Sequence, residues 1–180
     1  TLMSNTDGLW NNSLGYRSLY MNTTGSENVC NGGLTMFNNK IGNCNTATGY
    51  NASYTNLNGS NNTSIGCKAL YQNSIGNYNV AIGTDSGYKN TGNNNTFIGA
   101  MSDASGDAIE NSTAIGYGAI TTTSNQIMMG TSTETIEVPG DLNVTGTLSK
   151  GSGTFKIDHP LPEKENTHHL VHSFIEGPRF

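Results

Sequence analysis

Glycine returns along this chain at a fixed interval. Gly15, Gly32, Gly49, Gly66, Gly83, Gly99 and Gly116 are spaced 17, 17, 17, 17, 16 and 17 residues apart, and Gly130 follows at 14. A second series, Gly8, Gly25, Gly42, Gly59, Gly76 and Gly92, interleaves with the first at 17, 17, 17, 17 and 16. A fixed short period marks a repeat architecture, in which no single unit buries its apolar side alone. No other feature restricts the possible folds as much.

Further columns keep the same phase. Five residues after the first-series glycines stand Tyr20, Phe37, Tyr54, Tyr71 and Tyr88. Seven after them stand Asn22, Asn39, Asn56, Asn73 and Asn90, and four before them Asn11, Asn28, Asn45, Asn62, Asn79 and Asn95. The residue just before the glycine is mostly bulky and apolar (Leu14, Ile65, Ile82, Ile98, Ile115, Met129), and the one before that mostly small (Ser13, Cys30, Ala47, Ser64, Ala81, Ala114).

A unit of 17 residues is too short for a pair of helices, which takes more than about 30. It suits one coil of an all-β, parallel β-solenoid or β-roll. Each coil carries the pair "small, apolar" twice, as in Ser64-Ile65 and Ala69-Leu70, which predicts two short strands and two turns. Glycine supplies positive φ without steric cost, and asparagine tolerates the left-handed region. Coils stacked about 4.8 Å apart bury a continuous row and place like side chains above one another. Asparagine columns then form amide ladders, and tyrosines form aromatic ladders. The structural ladder positions are Gly15, Gly32, Gly49, Gly66, Gly83, Gly99 and Gly116, with Asn22, Asn39, Asn56, Asn73 and Asn90. Seven to eight coils predict a rod about 35 Å long.

Composition agrees with this reading. Only 12% of the residues are charged, against roughly 25% in ordinary domains, and the chain holds 23 Gly and 26 Asn. A charge repeated in every coil would face its own copy at about 4.8 Å. The net charge of −5 gives no basic patch for nucleic acid. No apolar run reaches the roughly 18 residues of a membrane helix, and no signal peptide is visible. Three cysteines, Cys30, Cys44 and Cys67, fit neither a disulfide framework nor a zinc spacing and read as small buried thiols. No cofactor, metal site or catalytic residue is predicted.

The aromatic column has two readings: a packing ladder, which its continuity favours, and a receptor surface of Tyr20, Tyr54, Tyr71 and Tyr88 on which sugars stack. It stops after Tyr88, where Ala104 stands inside "MSDASGDAIEN". That stretch, with Asp103, Asp107 and Glu110, reads as a solvated loop leaving the coil. An enzyme of the polysaccharide-cleaving kind needs paired carboxylates. Residues 1–98 offer only Asp7, Glu27 and Asp85, which argues against one. An ice-binding threonine array is also disfavoured, because Val29 and Val80 interrupt Thr46, Thr63, Thr96 and Thr113.

The composition changes near residue 131. The last 50 residues hold all four Pro and all four His. The repeat domain is therefore 5–130. Residues 131–148, in which Ile136, Val138, Leu142, Val144 and Leu148 alternate around Pro139-Gly140, predict a β-ribbon neck. Residues 149–153 form a linker, and 154–180 begin a C-terminal β module. The start at Thr1 suggests a fragment or processed product, and the polypeptide is expected to continue past Phe180. His168, His169 and His172 raise a metal hypothesis, a ligand from each of three chains on an axis; exposed polar residues are the simpler reading. Sequons occur at Asn11, Asn22, Asn51, Asn62 and Asn143 among others, and glycans on them would favour an extracellular or eukaryotic-virus setting.

The units "NNTSIGCKALYQNSIGNYN", "NVAIGTDSGYKNTGNNNTFIGA" and "NSTAIGYGA" resemble the head repeat of trimeric surface adhesins of the YadA type. They are also similar to repeats in fibre proteins of bacteriophages and of large DNA viruses of algae. Ala81-Ile82-Gly83 and Ala114-Ile115-Gly116 match the adhesin core, and the likeness covers about residues 5–130. It implies a left-handed β-roll, three chains side by side, and attachment. The unit is longer than the usual adhesin coil and no heptad stalk follows. "IEVPGDLNVTGTLSKGSGTFKIDHPL" with "HSFIEG" is similar instead to the distal region of tail-fibre proteins. The expectation is a receptor-binding fibre segment at a virion surface, a homotrimer with possible end-to-end assembly. Its partner would be a host-surface polysaccharide or glycoprotein, without nucleic acid or membrane insertion. The alternative is a cell-surface adhesin or an extracellular filament subunit, with residues 1–7 adding as a strand to a free end.

Overall fold

The computed structural model describes residues 1–146 and two short strands beyond them, Phe155–Asp158 and His169–His172. Two compact units are present, 1–136 and 137–180.

The first unit is a parallel β-solenoid. Its main sheet has eight strands in the order β1 (Asn12–Leu14), β2 (Val29–Asn31), β3 (Thr46–Thr48), β4 (Thr63–Ile65), β5 (Val80–Ile82), β6 (Thr96–Ile98), β8 (Thr113–Ile115) and β10 (Ile127–Met129). A two-stranded parallel sheet, β7 (Asp103–Ala104) with β9 (Ile120–Thr121), joins the last coils on the second side. The register follows the repeat: Ala47 pairs with Ser64, Ser64 with Ala81, Ala81 with Phe97 and Phe97 with Ala114. The single deletion, where the interval drops to 16, is absorbed in the turns between β5 and β6.

Strand alternation decides which residues reach the core. The middle residue of each strand points inward: Cys30, Ala47, Ser64, Ala81, Phe97 and Ala114 are all buried. The bulky residue beside it points out. Ile65, Ile82, Ile98 and Ile115 stay 37–41% exposed. The apolar row expected to be buried is therefore the small one. Alternation puts the middle residue into the core and turns its neighbours out whatever their size, since Phe97 is buried in the row of Ala81 and Ala114.

The second wall differs from expectation in coils one to five. Ala69-Leu70 and its equivalents are not a strand. Ser18 and Leu19, Thr35 and Met36, and Ala69 and Leu70 are buried as consecutive pairs, which strand alternation would not allow. The backbone instead alternates in hand, with φ of 51° at Arg17 and 50° at Leu19, 57° at Leu34 and 46° at Met36, and 56° at Lys68 and 50° at Leu70. Left-handed dihedrals cost L-residues about 1–2 kcal/mol each. They are held by bonds from coil to coil: Leu19 N–H donates to Thr35 O, Met36 N–H to Ala52 O and Leu70 N–H to Ser86 O. The wall becomes strand only at β7 and β9. There Asp103 replaces the leucine and Ala104 joins the core.

Thr1–Asp7 form part of the first coil: Leu2 N–H donates to Ser18 O, Ser4 N–H to Tyr20 O and Asp7 N–H to Thr23 O. They are not a free strand.

In the second unit, β11 (Phe155–Asp158) pairs antiparallel with β12 (His169–His172). The ribbon expected over 131–148 is absent from its described part. Residues 131–146 contain bends and no strand, and Ile136, Val138, Leu142 and Val144 are exposed. Alternation gives the residues a strand-like pattern, but pairing needs a second segment alongside. Residues 147–148, the linker 149–153 and His168 lie outside the described residues, as do the side chains of His169 and His172.

Candidate functional site

The aromatic column forms as expected. Tyr20 and Phe37 stack with ring centroids 5.2 Å apart, Phe37 and Tyr54 at 5.4 Å, Tyr54 and Tyr71 at 5.4 Å, and Tyr71 and Tyr88 at 5.0 Å, with planes within 10° of parallel. A sugar stacks on an open ring face. Here the faces of Phe37, Tyr54 and Tyr71 are covered by their neighbours, and only ring edges and hydroxyls remain for a partner. Tyr20 closes one end, with the Arg17 guanidinium 5.5 Å from its ring and 5.2 Å from that of Tyr16. The ladder stops at Tyr88 because Ala104 has turned inward.

The two asparagine columns are the polar interior of the roll. Asn22 Nδ2 donates to Asn5 Oδ1 at 2.7 Å, Asn39 to Asn22 at 2.6 Å and Asn56 to Asn39 at 2.8 Å. The ladder then breaks, leaving Asn56 Oδ1 and Asn73 Oδ1 buried without a partner. Asn73 and Asn90 still donate to the local carbonyls of Gly76 and Gly92. The other column is unbroken. Each Oδ1 from Asn11 to Asn95 accepts the backbone N–H of the residue one coil on, ending at Ser112. Both columns converge on the second-series glycines: Gly42 O accepts from Asn28 and Asn39, and Gly59 O from Asn45 and Asn56.

Stacking leaves no room for a Cβ in either glycine series, from Gly15 to Gly99 in the first and from Gly8 to Gly92 in the second, and the first series is held at positive φ as well. Gly15, Gly32, Gly49, Gly66, Gly83, Gly99 and Gly116 hold φ between 118° and 141°, a region closed to L-residues. Gly8, Gly25, Gly42, Gly59 and Gly76 do not. A Cβ on any of these would lie under 3 Å from the carbonyl of the next coil and from an asparagine Oδ1.

A third ladder, on the outside, has mixed chemistry. Leu9 N–H donates to Ser26 Oγ, Ser26 N–H to Asn43 Oδ1, Asn43 N–H to Ser60 Oγ, Ser60 N–H to Asn77 Oδ1 and Asn77 N–H to Asn93 Oδ1. Asn93 Nδ2 donates to Glu110 Oε1, and Glu110 N–H to Ser124 Oγ. No single residue type marks this column, so it does not stand out in the repeat.

The acidic stretch is only partly a solvated loop. Residues 105–108 are exposed, but Asp103 is buried, accepting from Lys89 N–H and Ala104 N–H. Burial raises its carboxyl pKa. Glu27 accepts from Cys44 Sγ at 3.0 Å, a bond that pushes the exposed Cys44 thiol up. Of the three thiols only Cys30 is buried, and burial moves it up to about 12. Cys44 and Cys67 are exposed, against the expectation of buried thiols, because they occupy outward corner and turn positions. Among the described residues no three His, Cys, Asp or Glu side chains gather to hold a metal ion.

Two surfaces face outward with apolar character. One is the main sheet, where Ile65, Ile82, Ile98, Ile115 and Met129 form one column beside Val80, Thr96, Thr113 and Ile127. Its first three strands carry Asn12, Asn31, Thr46 and Thr48 and are more polar. The other is a scatter of exposed aromatic rings, Trp10, Tyr16, Tyr50, Tyr78 and Tyr117. Tyr16, Tyr50 and Tyr117 each follow a first-series glycine directly, a phase that could have picked them out in the sequence.

No family model matches the chain, and neither does any curated protein or any solved structure.

Proposed function

We propose that this chain is a segment of a fibre that associates side by side with copies of itself, as a homotrimer, and attaches a virion to a host-surface polysaccharide or glycoprotein. The observation that supports self-association is the isoleucine column. An eight-stranded face with four isoleucines in line would be driven from water by about 25 cal/mol per Å² of apolar area covered. Rigid side-by-side copies then repeat each weak receptor contact, and linked contacts multiply affinity without new chemistry. The receptor contacts fit the exposed rings of Trp10, Tyr16, Tyr50, Tyr78 and Tyr117 better than the ladder tyrosines, whose faces are covered. A cell-surface adhesin would use the same face, and the virion assignment rests on the resemblance of the distal segment to tail fibres.

The test is binding to immobilised purified surface polysaccharides, with polysaccharide chain length followed in parallel. Binding without shortening, weakened many-fold by Ile82→Glu/Ile98→Glu, supports attachment through a multivalent fibre. Shortening of the polysaccharide would make the chain an enzyme and overturn the reading.

A further inference from the structure

N-glycan transfer needs Asn-X-Ser/Thr, and this chain has nine such sites, at Asn11, Asn22, Asn51, Asn58, Asn61, Asn62, Asn94, Asn111 and Asn143. The fold sorts them. Asn58, Asn61, Asn94, Asn111 and Asn143 are exposed, and Asn11 and Asn51 are half-buried. Asn22 and Asn62 are buried, 0% and 2% exposed.

Burial at these two is not incidental. Asn22 Nδ2 spends both hydrogens, on Asn5 Oδ1 at 2.7 Å and on Gly25 O at 2.9 Å. Asn62 Nδ2 donates to Gly76 O at 2.8 Å, and its Oδ1 accepts from Asn79 N–H at 2.9 Å. Around both, the second-series glycines already exclude so much as a Cβ. Glycan transfer forms a bond from the sugar C1 to Nδ2 and breaks the C1–oxygen bond to a lipid pyrophosphate donor. The lipid pyrophosphate leaves, and one Nδ2 proton goes to a base of the transferase. The product has one N–H where Asn22 uses two, and a sugar where the coil stack has no space.

We infer that this chain folds out of reach of N-glycan transfer, because a glycan on Asn22 or Asn62 and the coil stack exclude each other. A nascent chain in the lumen where transfer occurs meets the transferase before the coils close, with both acceptors open. The thiols point the same way. Cys44 and Cys67 are free and exposed, a state that persists in reducing compartments. The inference stands apart from the attachment reading, since it concerns where the chain can mature and not what it binds.

The test is translation of the 180-residue chain behind a cleavable signal peptide with microsomes, with and without a competing acceptor tripeptide that blocks transfer. The same chain made without microsomes is the reference. Glycopeptide mass spectrometry reads Asn22 and Asn62, and limited proteolysis reads folding. The expected result is that protease-resistant chains carry no glycan at either site, and that the blocker raises the resistant fraction to that of the reference. A second arm uses Ser13→Ala/Thr24→Ala/Ser53→Ala/Ser64→Ala, which removes the sequons at Asn11, Asn22, Asn51 and Asn62 while keeping every asparagine. This variant should be resistant in microsomes without the blocker; if it does not fold in the reference reaction, the blocker arm decides alone. Resistant chains glycosylated at Asn22 or Asn62 would overturn the inference. So would unblocked wild-type chains that leave both sites empty and match the reference.

Discussion

Phe97 fills the space that Gly87 leaves. A Cβ placed on Gly87 would lie 2.8 Å from Phe97 Cδ2 and 2.9 Å from Leu70 Cδ2. Phe97 sits where other coils have Ala47, Ala81 or Ala114, and Gly87 sits where they have Leu19, Met36 or Leu70. One coil has exchanged its small and large residues between the two walls at nearly constant volume. Phe97→Ala alone should cost about 3–5 kcal/mol by cavity formation. Gly87→Leu alone should cost about 1–3 kcal/mol by overpacking. The double variant restores the pattern of the neighbouring coils, and Leu19 and Leu70 already adopt a φ of 50° close to the 60° of Gly87. Denaturant melts of the four proteins should show the double variant more stable than either single one.

Ser53 and Ser64 make a similar exchange in polar form. Ser53 Oγ donates to Ser64 Oγ at 2.9 Å in the core, between the apolar cluster of Leu19, Cys30, Met36, Ala47 and Ala52 and that of Leu70, Ala81 and Phe97. Ser64→Ala alone strands a buried hydroxyl and should cost about 1–3 kcal/mol. Ser53→Ala/Ser64→Ala removes both partners and should lie within about 1 kcal/mol of wild type. Thermal melts of the two variants provide the comparison.

Asn39 tests the amide ladder. It donates to Asn22 Oδ1 and to Gly42 O, and accepts from Asn56. Gly42 O keeps a second donor in Asn28, and Asn56 Nδ2 keeps Gly59 O as an acceptor, so Asn39→Ala orphans Asn22 Oδ1 and one hydrogen of Asn56 Nδ2. The expected loss is about 1–3 kcal/mol for each orphan. Asn39→Asp should be worse at neutral pH than in acid, since its ionised form is buried without a cation. Urea melts at two pH values separate these outcomes.

Asp103 carries the clearest pH dependence. Burial raises its carboxyl pKa above the ordinary 3.8, so the folded chain holds this proton more tightly than the unfolded chain. Its contribution to stability is fully present below the unfolded pKa and is lost as pH rises through the higher folded pKa. Asp103→Asn cannot ionise and should lack that decline. Melting temperatures followed upward from pH 3.8 should fall less in the variant than in wild type. Equal slopes would assign the dependence elsewhere.

Period and phase were legible because stacking places like on like, so Gly66, Asn56 and Tyr71 recur in register. The aromatic ladder and both asparagine columns follow from that alone. Facing was not legible. A period says that Ile82 lies over Ile65 but not that both look outward; that depends on which residue of each short strand the turns aim at the core, here Ala81 and, one coil on, Phe97. Left-handed Leu19 and Met36 were equally hidden, because leucine and methionine carry no local signal for positive φ and only the bonds between coils hold them there. The outward serine–asparagine–glutamate ladder was missed because three residue types share one role. The change of wall at Asp103-Ala104 read as a departing loop because acid and glycine are the usual marks of one.

The central claim is that the exposed face of Ile65, Ile82, Ile98 and Ile115 is where copies of this chain meet. Light scattering on the chromatographed chain tests it most directly. The prediction is a species of about three times the 19.0 kDa chain mass, reduced to a single-chain mass by Ile82→Glu/Ile98→Glu with the solenoid's circular dichroism unchanged. A wild-type chain at 19.0 kDa across the accessible concentration range would contradict it.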